Sequence, residues 1–358
     1  MENIIKHPGE ILRELLVENE ISQRELSSVI QIAHSHLHNI LSGDRSISAD
    51  IAVRLEAAGF ESAIFWLEQQ NKFDLNEIKS NSEVETDNIK VWKEILENVP
   101  LSYLRKHGII TSERNNDIEA VLQLYKSDNI ADFKNSIKNY TFSHFRKSSA
   151  FSETRNNVIA WSLLAEYKAK RIIIRTGFDS NKKDELVSKL RELFVENTDI
   201  INKASKLLES YGIKFFTLDR PSKTPVDGKS FMSDDNPTIV LSLKYKRLDN
   251  FAYTLMHELG HVYKHLTKVK FKSESFFTNN TKNDILEFEA DSFARNELIP
   301  LDEWNQFIQS NDVFSDDVIF DFAEEINIHP AIVRGRVCYE YNNYYRRASD
   351  ITSTNKIN

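Results

Sequence analysis

The stretch His257-Glu258-Leu259-Gly260-His261 sets two imidazoles four positions apart, with a glutamate beside the first. On a helix, positions i and i+4 share a face, so both rings can grip one metal ion, and zinc suits such a pair. Glu258 is placed to take a proton from a water that the ion activates. The apolar run 251–256 reads as the helix carrying the motif, with Asp249 or Asn250 as its cap. A zinc centre that does chemistry needs a third protein ligand and one open position. Residues 284–295 read as a second helix and offer candidates. There Glu287 and Asp291 share a face, and Glu289 points elsewhere. Glu287 is the expected third ligand and Glu289 its rival. Asp291 is expected to accept a hydrogen bond from a ligand imidazole and fix its tautomer. Taken alone, Glu287 would read as part of a solvated acidic face; the upstream motif outweighs that reading. His265 does not match the longer step of a three-histidine site and reads as a surface or supporting residue.

The elements that must position these groups are mostly helices. The chain has 358 residues, enough for two or three domains, and only 9 Gly and 7 Pro to interrupt long periodic segments. No stretch approaches the ~18 apolar residues of a membrane span. The opening Met-Glu-Asn-Ile-Ile-Lys has no apolar signal core. The lone cysteine, Cys338, excludes an internal disulfide and fits a reducing cytoplasm. With a formal net charge of −8, generic attraction to nucleic acid or anionic membrane is not expected from the bulk of the chain. The fold class is therefore mainly α with a small β-sheet (α+β). Residues 212–218 read as a strand, and 229–232 with 238–243 as a hairpin. An edge strand beside the metal helix would bind an extended peptide by strand addition.

Residues 1–75 divide into short helices. Ser22-Gln23-Arg24-Glu25 is a capping box opening a helix with Leu26, Val29 and Ile30. After a break at Gln31-Ile32 a helix from about Ala33 buries Leu37, Ile40 and Leu41, then stops at Gly43. Ser48 or Asp50 opens the next. Two short helices joined by a tight turn form a helix-turn-helix layout, in which the second helix enters the major groove. Its expected DNA-facing residues are His34, Ser35, His36, His38 and Asn39, with Arg24 and Arg45 on phosphates. The three histidines at alternate positions cannot converge on one ion. Six Lys/Arg against twelve Asp/Glu in residues 1–75 make a lone module a weak DNA binder. A homodimer through this domain, on two half-sites, would restore specificity.

This segment resembles the N-terminal domain of HigA-like antitoxins, in the Xre group of helix-turn-helix regulators. The carriers are His7-Pro8-Gly9-Glu10-Ile11-Leu12-Arg13-Glu14, Ile21-Ser22-Gln23-Arg24-Glu25-Leu26, Leu41-Ser42-Gly43-Asp44-Arg45-Ser46-Ile47-Ser48-Ala49 and Phe65-Trp66-Leu67. The resemblance implies a five-helix, lambda-repressor-like bundle. That family usually has Gly in the turn where this chain has Gln31. Residues 206–340 resemble the ImmA/IrrE family of zinc metallopeptidases, through Leu241-Ser242-Leu243, the motif at 257–261, Glu287-Phe288-Glu289-Ala290-Asp291-Ser292-Phe293-Ala294 and Leu298-Ile299-Pro300. This implies a zincin-like, gluzincin-type site with His257, His261 and Glu287 on zinc and Glu258 as general base. Family members cut a helix-turn-helix repressor. Between the two, 76–90 reads as a polar linker and 91–205 as a helical region that spaces them or docks a partner. Residues 341–358 read as a tail whose last eight or so are disordered. Arg334 and Arg336 read as salt-bridged surface residues, with oxyanion binding as the alternative.

Together these readings describe a cytoplasmic transcriptional regulator of antitoxin type with a zinc endopeptidase domain. Its expected partners are operator DNA and a protein substrate or cognate toxin, with no membrane. The alternative is a catalytically silent antitoxin whose zincin fold is a scaffold.

Overall fold

A computed structural model describes residues 5–81, 83–111, 114–144, 154–268, 275–278 and 285–357; residue 284, expected to open the second helix, lies outside them. The chain forms two compact units, Met1–Lys90 and Val91–Asn358.

In the first unit α1 (Pro8–Glu18), α2 (Gln23–Val29), α3 (His34–Ser42), α4 (Ala49–Ala57) and α5 (Ala63–Asn81) surround one apolar core. Leu12, Leu37, Ile40, Ala52, Leu55 and Trp66 fill it. The expected capping box is present: the Ser22 hydroxyl accepts from the Glu25 amide while the Ser22 amide donates to the Glu25 carboxylate. Gly43 ends α3 in the left-handed region at φ 87°, and Ser48 caps α4. Gln31 holds the turn between α2 and α3 at φ 55°. Left-handed backbone costs an L-residue about 1–2 kcal/mol. The surrounding structure holds it there: Arg54 donates to the Ile30 carbonyl (2.9 Å) and the Ile32 amide to Ser27 (3.0 Å).

In the stretch 76–90, expected as a linker, the described residues are helical: α5 runs to Asn81 and α6 spans Glu83–Asn98. A polar, Ser- and Asn-bearing composition marked loop; Glu, Lys and Leu or Ile at helical spacing outweigh it.

The second unit continues with α7 (Leu101–Lys106), α8 (Arg114–Leu124), α9 (Ile130–His144), α10 (Arg155–Ala169), α11 (Lys183–Glu196) and α12 (Ile200–Ser210). Strands β1 (Lys214–Thr217), β2 (Gly228–Ser233) and β3 (Asn236–Leu241) precede α13 (Leu248–His261), and β4 (Ser275–Thr278) precedes α14 (Ile285–Leu298). Then come α15 (Leu301–Ser310), α16 (Asp316–Glu325), α17 (Pro330–Glu340) and α18 (Ile351–Thr354). The sheet order is β1-β3-β2-β4; β1 and β3 run parallel, and β2 is antiparallel to both its neighbours. The expected strand and hairpin are thus present. β4 was not anticipated.

The sheet is buried on both faces. One core joins it to α11–α17 and holds Phe251, Leu255, Leu259, Ile239 and Leu241. The other joins it to the helices of 91–169, where Trp161, Leu164 and Phe133 meet Phe231 and Val240. The middle region is therefore one wall of the unit that carries the metal motif. Trp161 Nε1 donates to the Leu218 carbonyl (3.1 Å) and Tyr103 to that of Asp219 (2.7 Å). β2 alternates between the two sides, as strand pleating requires. Lys229, fully buried, meets Ser162 and Glu166 (2.7 Å) of α10, while Ser230 turns to α13. Burial opposes the charge on Glu166, but Lys229 and Lys126 overcome it and hold its carboxyl down at about 2.

The tail corrects a second expectation. Arg247 precedes α13 without offering a side-chain cap; Asp249, already inside the helix, accepts from the Asn250 amide beside it (2.7 Å), so neither of those two residues caps the helix start from outside. Asn355 does so instead: its Oδ1 accepts from the Asp249 amide (3.0 Å) and its carbonyl from Leu248 (3.3 Å). Lys356 bridges Arg247, its carbonyl accepts from Asn197 (2.8 Å), and Ile351 is buried. Polar residues at a chain end carry no local sign of the distant helix start that needs them. Asn355→Ala is expected to cost about 1 kcal/mol, the usual worth of a helix cap. A lowered midpoint of thermal unfolding would show it, and an unchanged midpoint would refute the capping role.

Arg334 and Arg336 are buried rather than surface residues. Arg334 donates to the Arg347 carbonyl (2.9 Å), and Arg336 bonds Glu340 (2.9 Å) and the Ile299 carbonyl (3.1 Å). Both are salt-bridged as expected, Arg334 to Asp316 (3.6 Å) and Arg336 to Glu340, and these bonds tie the C-terminal helices together.

Candidate metal centre and nucleic-acid interface

α13 presents His257, Glu258 and His261, all buried, to the space between β2 and α14. The helices approach closely because Gly260 has no side chain: a Cβ there would lie 2.9 Å from the Cα of Ala290. That approach brings Glu287 to the two rings. His257 Nε2 lies 3.0 Å from His261 Nε2, and each lies 3.4 Å from a Glu287 carboxylate oxygen. Zinc–nitrogen bonds of ~2.0–2.1 Å in tetrahedral geometry set ligand atoms ~3.3–3.4 Å apart. The three side chains therefore fit a zinc ion as they stand. Among the described residues this is the one cluster of metal-ligand type.

The hydrogen bonds around the cluster assign the acidic residues their places. His257 Nδ1 meets Asp291 Oδ1 at 2.7 Å, where the expected orienting carboxylate belongs. Glu289 is not in the cluster; its Oε2 lies 3.0 Å from His265 Nε2, and His265 Nδ1 lies 3.0 Å from His261 Nδ1. His265 is fully buried, so of its two expected places, surface or support, its contacts match support. Its four-residue step from His261 was the available signal, and the π-helical turn Val262–Leu266 made it effective. Two successive i+4 steps on an α-helix drift by ~80°; a wider turn offsets part of that drift. Phe276 of β4 stacks on the His261 ring, with centroids 4.5 Å apart.

Electrostatics keep this set ready for a cation. Burial opposes charge on His257, but hydrogen bonds to Asp291 and Glu287 raise its pKa to about 10. Burial lowers His261 to about 4. For Glu287 burial acts upward, and the two imidazoles overcome it to hold the carboxyl at about 2. Near neutral pH the ligands thus hold one proton, in a place that one cation would fill.

Glu258, fully buried, receives a hydrogen bond from the Ser230 hydroxyl. Its other oxygen abuts Gly228, where any Cβ would collide with the carboxylate. Ser230 and Gly228 thus set the position of the Glu258 carboxylate. Their role was not legible in sequence, because pairing across the sheet brings them to α13.

In the first unit, α3 exposes His34, Ser35, His38 and Asn39, while His36 is half-buried. Arg24 and Arg45 are exposed and make no ion pair among the described residues. Arg13 and Arg54 are committed internally, to the Leu41 carbonyl and to Asp50.

A helix-turn-helix bundle ahead of a helix-and-sheet unit with a His-His-Glu cluster defines a regulator-type module joined to a metallopeptidase-type fold. Comparison with known proteins agrees. Residues 12–62 match the helix-turn-helix family, and residues 208–336 match the IrrE N-terminal-like domain of peptidase family M78. The HTH-type transcriptional regulator YddM of Escherichia coli K12 is 31% identical over 77 residues, 22% of this chain and 82% of its own length. Virulence-associated protein I of Dichelobacter nodosus is 37% identical over 70 residues, covering 19% and 65%. The solved Pseudomonas aeruginosa antitoxin HigA, with the higBA promoter, is 37% identical over 22% of this chain and 86% of its own, with a TM-score of 0.21. The chain belongs to the helix-turn-helix transcriptional regulators, and it carries an M78 peptidase-family domain behind that module. No helix among the described residues is long and apolar enough to cross a membrane.

Proposed function

We propose that this protein is a cytoplasmic, antitoxin-like transcriptional regulator whose second unit is a zinc-dependent endopeptidase. It binds operator DNA as a homodimer through residues 1–75 and cuts a regulatory protein or cognate toxin. The observation that carries the enzymatic part is the meeting of His257, His261 and Glu287 within ligand distance beside a buried Glu258. Zinc in that set supplies Lewis acidity, activating water and polarising a peptide carbonyl. The protein's own residues do the rest. Glu258 accepts the proton of the attacking water and passes it to the leaving amine. Ser230 holds the Glu258 carboxylate, and Asp291 holds His257 in the tautomer that turns Nε2 to the metal. A peptide added along the outer edge of β4 would lie beside the cluster.

For the first unit, His34, Ser35, His38 and Asn39 present hydrogen-bonding groups suited to base edges, and Arg24 and Arg45 suit phosphates. With acidic residues outnumbering basic ones, binding is expected to be sequence-specific and dimeric, with the shallow salt dependence of few phosphate contacts. Gel shifts on the DNA upstream of the gene test this. Retention of the complex when Asn39 and Arg45 are replaced by Ala would refute the interface.

A second reading has one observation in its favour: Glu258 is closed off by Ser230 and Gly228, with no exposed surface. A silent scaffold that neutralises a toxin by binding would need no access to that base. Incubation of the zinc-loaded protein with a helix-turn-helix repressor or a neighbouring toxin separates the two; cleavage supports the first, and binding without cleavage the second.

A further inference from the structure

The site has two ligand imidazoles and two different supports for them. His257 rests directly on Asp291. His261 rests on His265, which rests on Glu289. Helix α14 thus supplies three carboxylates within five positions, Glu287 toward the metal and Glu289 and Asp291 behind it.

The order of protons along the longer chain follows from elementary chemistry. A neutral imidazole carries one N–H. When Nε2 of His261 gives its lone pair to a metal, the hydrogen sits on Nδ1. That hydrogen faces His265 Nδ1 at 3.0 Å, which must accept it. The hydrogen of His265 then sits on Nε2, facing Glu289 Oε2 at 3.0 Å, and a carboxylate accepts only. Every link agrees in this one direction. Reversed, His265 would donate from Nδ1, and His261 would carry its hydrogen on Nε2, aimed at the metal position. Glu289 opposes that reversal because it offers His265 Nε2 no hydrogen.

We propose that His265 and Glu289 are positioning residues that fix the metal-binding tautomer of His261 through the chain His261→His265→Glu289. The inference rests on the metal reading above. The plainer account is that His265 is a buried core histidine with its polar atoms satisfied, packed against Phe276 (centroids 5.3 Å apart). The two differ at Glu289. Its side chain is 44% exposed, so its replacement leaves the core intact. Only a tautomer role makes zinc affinity depend on whether it accepts or donates.

The full-length chain is tested by zinc titration against a chelator, with circular dichroism to confirm folding. Glu289→Lys, which offers His265 Nε2 a donor, is expected to weaken zinc binding roughly 10–100-fold. Glu289→Gln, whose carbonyl can still accept, should recover most of that loss. Proton–nitrogen spectra of the histidine-labelled, zinc-loaded protein should show His265 protonated on Nε2. Zinc affinity in Glu289→Lys within about twofold of the unaltered chain would overturn the proposal, as would a His265 proton on Nδ1. If the unaltered chain takes up no zinc, the metal reading falls and this inference with it. If that chain binds zinc and Glu289→Lys binds equally well, this inference falls alone.

Discussion

His257→Ala protein is expected to hold no zinc at concentrations that load the unaltered chain with about one ion. The cluster has three ligand side chains, the number on which a catalytic zinc depends. Removing one forfeits about 10²–10³-fold in affinity, one ligand's share of the roughly 10–16 kcal/mol that structural zinc sites gain. The unaltered site makes a second demand, on pH. Before metal binding His257 is raised to about 10 and so carries a proton at pH 7, whereas His261, near 4, and Glu287, near 2, have already lost theirs. Zinc must displace that proton, so affinity rises with pH across the neutral range, with about one proton released per ion. Calorimetry in buffers of different ionisation enthalpy counts it. Equal zinc uptake by His257→Ala would remove the site from consideration.

Glu258→Gln should separate binding from chemistry. The substitution keeps the shape of the side chain and an oxygen that can accept from Ser230, and Glu258 is not one of the three clustered ligands. Zinc content should be unchanged. An amide cannot take a proton from water, so cleavage should fall by about 10²–10⁴-fold, the usual worth of a positioned general base. The measurement is the rate at which a repressor or toxin substrate is cut by zinc-loaded protein. Undiminished cleavage by the variant would show that Glu258 is not the base.

The motif at 257–261 and the acidic run at 287–291 were legible because their geometry is local. Four residues make one helical turn wherever the helix lies, so shared faces follow from counting. The same holds for Ser22 and Glu25, for Gly43 and for Ser48, whose caps involve neighbours in the chain. The choice between Glu287 and Glu289 was not local. It depended on how α14 lies against α13, which Gly260 and Ala290 decide by contact.

What the sequence determined alone was the ligand set's chemistry, the two-part organisation and the caps of the first bundle. The tertiary structure decided the rest. It assigned Glu289 to His265, placed Ser230 and Gly228 on Glu258, made residues 91–169 a wall of the sheet, and sent Asn355 to cap α13. Each of these joins residues 24 to more than 100 positions apart. Helical periodicity carries no information over such separations; burial of apolar faces and satisfaction of buried polar groups select those pairings.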